Sequence, residues 1–227
     1  MAYNDERSAR GGLIFDCECV ALDDAGAYLE PVSAPSNYKD EAKIAAYCEQ
    51  ARREQVEKAA LDIDLARIVA LGMLDESAAG PQVLTIGSAE DEHSALTLFW
   101  KLVTATPRPT LIGFNVIGYD LPLLLRRSLY LGVKAPRLPI NRYRHDGIED
   151  LLLMLSFDGA QKFRSLGFYC RRFGIDVPDP HTGADLAALV ACGDLGAVAD
   201  HCAADIRKTA ALAERLGVWQ PARELAF

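Results

Sequence analysis

The sequence predicts an α/β protein, a central mixed β-sheet flanked by helices, with a helical insertion after the first strand. Three observations predict it. Short apolar runs at 12–20, 66–74, 82–86 and 110–114 have the length and the bounding turn residues of strands. Between the first two lies a stretch, 39–61, rich in Ala, Glu, Lys, Gln and Arg and free of Gly and Pro, as a helix requires. Beyond the fourth strand the pattern is mostly helical. Such an order closes into a sheet with helices packed on it. With 227 residues, half of them hydrophobic, the chain can build one sizeable core.

Residues 1–10 are charged and are expected to fray. The first strand, GGLIFDCECV from Gly11 to Val20, runs Leu13, Ile14 and Phe15 into alternating residues, so Asp16 and Glu18 share one face and Cys17 and Cys19 the other. Asp23, Asp24, Gly26, Pro31 and Pro35 mark a loop. The helix at 39–61 has only a modest apolar stripe (Ile44, Tyr47, Cys48, Ala51, Val56) and is suited to lie on a surface. Strands follow at 66–74 and 82–86, then a helix at 90–104 with Leu96, Leu98, Phe99 and Leu102 inward, and a strand at 110–114. A helix at 121–131 carries Pro122 in its first turn, where proline is tolerated. After a Pro/Arg-rich connection, 132–146, helices are expected at 148–155, 164–173, 183–191 and 194–216, with Gly174 and Gly217 as stops.

The opening MAYNDERSAR lacks the apolar core of a signal peptide, and no apolar run reaches membrane-spanning length; a soluble, cytoplasmic protein that meets no membrane is expected. The six cysteines form no C-x-x-C pair, which argues against zinc and for reduced, mostly buried thiols. The net charge of −8 is unevenly spread. Residues 121–175 hold ten basic and four acidic side chains, a net of +6, against fourteen and twenty-eight elsewhere, a net of −14. From Leu121 to His145 there is no acid, but Arg126, Arg127, Lys134, Arg137, Arg142 and Arg144. Such a sector can hold a phosphate backbone, although a charge run is more often a solvated face.

Three stretches carry candidate chemistry. Two carboxylates side by side on one strand repel each other, and a divalent cation between them resolves the conflict. Asp62/Asp64 and Glu90/Glu92 share the spacing, but only Asp16/Glu18 follows directly on an apolar strand. In LIGFNVIGYDLPLLL (111–125), Asn115 and Asp120 are the polar residues at a strand-to-helix junction, where ligand sites gather in α/β proteins. Asp120 also suits a helix N-cap. In the last helix, His201 and Asp205 stand four apart on one face, at the edge of an apolar stripe.

Together these stretches resemble the DEDD superfamily of 3′–5′ exonucleases, which has a ribonuclease H-like fold, and within it the predicted exonucleases related to the proofreading domain of family B DNA polymerases. Asp16-Cys-Glu18 looks like the first motif, Asn115 with Asp120 in GFNVIGYDLP the second, and Asp205 with Thr209 and Leu212 the third. The likeness covers roughly residues 11–217 of one exonuclease domain. It implies two divalent cations, Mg²⁺ or Mn²⁺, on Asp16, Glu18, Asp120 and Asp205, with Asp16 bridging. It also implies a substrate with a single-stranded 3′ end, preferably DNA. Cys17, Asn115, Tyr119, Arg142 and Arg144 are the expected substrate contacts, and Phe114, Tyr119, Tyr143 and Phe163 could stack on bases. One residue departs from the pattern. His201 stands four residues before Asp205, where the tyrosine branch of the superfamily has Tyr, and is the expected proton acceptor. An exoribonuclease of the same fold, and a non-catalytic nucleic-acid-binding or partner-binding module, remain open beside the exonuclease.

Overall fold

The computed structural model describes residues 11–141, 143 and 145–221. Its centre is a mixed five-stranded sheet of order β3-β2-β1-β4-β5, flanked by helices as expected. The strands are β1 (Gly12–Ala21), β2 (Ala66–Asp75), β3 (Gln82–Thr85), β4 (Thr110–Gly113) and β5 (Ile148–Asp150). The β1–β2 and β2–β3 pairs are antiparallel, and the β1–β4 and β4–β5 pairs are parallel. The helices are α1 (Glu41–Ala59), α2 (Ala89–Val103), α3 (Asp120–Leu131), α4 (Leu151–Ser156), α5 (Leu166–Phe173), α6 (Leu186–Ala191) and α7 (Leu195–Arg215).

As the middle strand, β1 has both faces covered, and its alternating residues divide between two cores. Leu13, Phe15 and Cys17 pack with Phe99 and Trp100 of α2 and Leu121 and Leu124 of α3. On the other face Ile14 packs with Ile206, Ala210 and Ala213 of α7, and Val20 with Val198 and Cys202. Asp16 and Glu18 therefore lie on the face that α7 covers. Opposite them across the β1–β2 ladder are Gly72 and Ala70, the small residues that let α7 come close. A Cβ at Gly72 would stand 2.8 Å from the Cys202 Sγ.

Local chemistry explains where the helices begin. Asp40 caps α1 by accepting from the Ala42 and Lys43 N–H groups; Ser88, Ser165 and Asp194 cap α2, α5 and α7 in the same way. The inserted α1 lies on the surface as predicted, with only Ala59 buried. Two expectations need correction. The helix expected at 148–155 begins with a strand: Ile148–Asp150 pairs with β4, and Asp150 then caps α4 through the Leu152 and Leu153 N–H groups. Three residues are too few to show a period of two. In α2, Leu98 and Leu102 are exposed, because the stripe that meets the sheet runs through Glu92, Ala95, Leu96, Phe99, Trp100 and Val103. Glu92 is tolerated there because it accepts two hydrogen bonds from the Arg127 guanidinium, at 2.7 and 2.8 Å, and one from the Ile68 N–H.

Among the described residues no helix is long and apolar enough to cross a membrane.

Candidate active site

Strand alternation, a helix start and one helix face bring four carboxylates near enough to feel one another's charge. Asp16 and Glu18 project from the middle of β1, just before a bulge between Glu18 and Cys19. The β1–β4 pairing stops at Ile14–Ile112, and beyond it the Asp120 carboxylate, at the start of α3, accepts the Cys17 N–H at 3.2 Å. Asp205 comes from α7, one turn beyond His201. The ligand atoms of Glu18, His201 and Asp205 lie within 4.8 Å of one another.

Asp16, Glu18 and Asp120 register burial and their neighbours as raised proton affinities. Burial lifts Asp16 well above its ordinary value, reinforced by the negative charges of Glu18, Asp120 and Asp205. Burial, then Asp205, Asp120 and Asp179, pushes Glu18 up to about 8. Burial raises Asp120 to about 6, although hydrogen bonds from the Cys17 thiol and N–H hold it down. Lys208 of α7 is the cation that opposes this. Its ammonium donates to Asp205 Oδ1 at 2.7 Å and to Asp179 Oδ2 at 2.5 Å. Among the described residues Lys208 is set against Asp16, Glu18, Asp120, Asp179 and Asp205, which leaves the cluster short of positive charge that a hard divalent cation with oxygen ligands would supply. Asp16, Glu18, Asp120 and Asp205 fit such ions by type. Cys202 also lies within 4.8 Å of Asp16 and Glu18, but burial and their charges hold its thiol protonated, which makes it a poor ligand.

The remaining expected residues separate. His201 is buried, with Nδ1 2.9 Å from Asp179 Oδ2 and Nε2 3.7 Å from Glu18 Oε1. Asn115 is half-buried at φ 64°, a conformation asparagine tolerates, and its Oδ1 lies 2.4 Å from where a Cβ on Gly118 would stand, so that position of the turn needs glycine. Cys17, expected at the substrate, turns its thiol inward to donate to Asp120 at 3.2 Å, because odd residues of β1 face the other core. The Tyr119 hydroxyl is likewise spent inside, donating to Ala60 O at 2.5 Å and touching Cys19 Sγ, and it ties the end of α1 to the start of α3. Phe114 packs on Tyr169, while Tyr143 and Phe163 are exposed. In the basic sector Arg127 is buried on Glu92 and Arg126 pairs with Asp64 at 2.5 Å, so these two serve the fold. Arg142 and Arg144 lie outside the described residues.

Two residues at the site escaped the sequence reading. Asp150, buried at the end of β5, accepts from the Asn115 and Ile117 N–H groups as well as from the first turn of α4, and so holds the loop that leads to Asp120. Asp179, from the loop between α5 and α6, joins His201 to Lys208. A D-L-L step could have suggested a cap at Asp150; nothing in PDPHTG sets Asp179 apart.

Sheet order, flanking helices and a carboxylate cluster over the middle strand define a ribonuclease H-like exonuclease fold. A family model described as "Predicted 3'-5' exonuclease related to the exonuclease domain of PolB" matches residues 59–220, and the chain belongs to that family. The match begins at the last residue of α1 and takes in Asp120, His201 and Asp205; Asp16 and Glu18 precede it, on the strand that β2 and β4 pair with. Comparison with curated proteins gave no match.

Proposed function

We propose that the chain is a 3′–5′ exonuclease that removes nucleotides from the 3′ end of single-stranded DNA with two divalent cations, Mg²⁺ or Mn²⁺. The observation that carries this reading is the convergence of Asp16, Glu18, Asp120 and Asp205, acids from three elements up to 189 positions apart, on one under-neutralised point. Asp16, Glu18, Asp120 and Asp205 would hold the cations through their carboxylate oxygens. When bound, the cations would offset the charge that develops on the phosphate and its reacting oxygens.

The chain's own groups do the rest. His201 presents Nε2 beside Glu18 and accepts the proton of the attacking water, an assistance typically worth about 10²–10⁴-fold. The water oxygen bonds to the terminal phosphorus and the bond to the preceding 3′ oxygen breaks. One nucleoside 5′-monophosphate leaves, and the departing 3′ oxygen takes a proton from solvent to become the 3′ hydroxyl of the shortened strand. Asn115 and Tyr119, in the turn that leads to Asp120, would border the terminal nucleotide. Arg142 and Arg144, in a stretch without acids, would meet the phosphates behind it.

Digestion of oligonucleotides labelled at either end, DNA and RNA side by side, tests the reading. A 5′-labelled DNA strand should shorten stepwise in Mg²⁺ and stay intact in EDTA. Preference for RNA would replace the substrate, and internal cuts or metal-independent cutting would overturn the reaction.

A further inference from the structure

We infer that Asp179 is the positioning residue of His201: it fixes which imidazole nitrogen carries the proton and aims the other at the carboxylate cluster. The inference rests on the exonuclease reading above and deepens it.

A phenol in the slot before Asp205 needs no partner behind it, because it has one oxygen. An imidazole has two nitrogens, either of which can hold the hydrogen, and it works as a proton acceptor only if the free lone pair faces the substrate side. The structure supplies the missing group. Asp179 Oδ2 lies 2.9 Å from His201 Nδ1, and both side chains are nearly closed to solvent, 6% and 7% exposed. The same oxygen accepts from the Lys208 ammonium, which has only donors to offer. An oxygen bonded to Lys208 in this way is an acceptor toward His201 too, so Nδ1 donates and the neutral ring keeps its lone pair on Nε2. That nitrogen is the one facing Glu18, at 3.7 Å. Asp179 is itself held in place: a second oxygen, Oδ1, accepts the His181 N–H at 3.2 Å, and Lys208 anchors it to Asp205. His201 therefore comes with an orienting carboxylate from another loop.

Long-range proton–nitrogen NMR of the neutral histidine rings in the ¹⁵N-labelled full chain, in EDTA, reads the tautomer directly. In the wild type His201 should show a protonated Nδ1 and a bare Nε2. In Asp179→Ala that preference should be lost. A protonated Nε2 in the wild type overturns the inference, whether or not the variant folds. Kinetics in Mn²⁺ supply the second arm. Asp179→Ala should lower kcat with little change in KM, and by no more than His201→Ala does, and the double variant should be no slower than His201→Ala alone. Losses that multiply would make Asp179 act independently of His201 and would also overturn it. A wild type with the expected tautomer but no nuclease activity would support the orientation and overturn the exonuclease reading.

Discussion

Replacing Glu18 with Gln should make the metal-free protein more stable. Glu18 rises from an ordinary 4.5 to about 8 because it is buried and faces Asp205, Asp120 and Asp179, against which Lys208 is the opposing charge. At about 1.4 kcal/mol for each pH unit, ionising it in the folded chain costs about 5 kcal/mol more than in the unfolded one. The folded value is the higher one, so the protonated form favours the fold. That contribution is complete below about pH 4.5 and is lost as the pH rises through about 8. Near pH 7 the group is still largely protonated, and the cost there is about 3 kcal/mol. Glu18→Gln removes this titration and keeps the shape of the side chain. For a chain of this length about 1 kcal/mol moves Tm by roughly 2–4 °C. In EDTA at about pH 8, then, the variant should melt several degrees above the wild type, and the difference should shrink toward about pH 4.5. Mn²⁺ should reverse the order, since it binds the ionised acid, and its effect should grow with pH. A variant that melts below the wild type in EDTA at about pH 8, or a gap that widens as the pH falls, would refute the reasoning.

Gly72→Ala puts a methyl group 2.8 Å from the Cys202 Sγ and 3.1 Å from the Ile206 Cγ1, so α7 must retreat from β2. A loss of about 1–3 kcal/mol in a urea titration is expected, with a fall in kcat because Asp205 moves with the helix. Asp150→Ala leaves four N–H groups without their acceptor and should cost roughly 3 kcal/mol or more by thermal melting. Its nuclease rate should fall further than the folded fraction does, because the loop before Asp120 loosens. Arg142→Ala with Arg144→Ala should raise KM for oligonucleotides and flatten its dependence on salt, leaving kcat nearly unchanged; an unchanged salt slope would place both side chains away from phosphate.

The parts of the site written in local periodicity were legible in the sequence. Alternation along one strand puts Asp16 and Glu18 together, and a four-residue step puts His201 and Asp205 on one face of α7. The strand-to-helix junction identified Asp120. What escaped depends on contacts between distant elements. Asp179 meets His201 only because the loop before α6 folds back over α7, and no spacing links positions 22 apart. Asp150 belongs to a strand of three residues that exists because β4 offers it an edge. Arg126 and Arg127 looked like part of a phosphate-binding sector, but their partners, Asp64 and Glu92, lie on elements that sequence order keeps far away. Cys17 and Tyr119 sit inside the motifs, yet their polar atoms are consumed by Asp120 and by Ala60 and Cys19, which only the packed structure reveals.

Counting bound Mn²⁺ by electron paramagnetic resonance, while following mononucleotide release from a single-stranded DNA in the same sample, tests the carboxylate centre most directly. The wild type should take up two ions per chain, with release appearing only as the second site fills. Asp16→Asn, folded and at the same concentration, should lose at least one ion and nearly all release. Full release by Asp16→Asn, or release by a wild type that binds no Mn²⁺ at the cluster, would contradict the account.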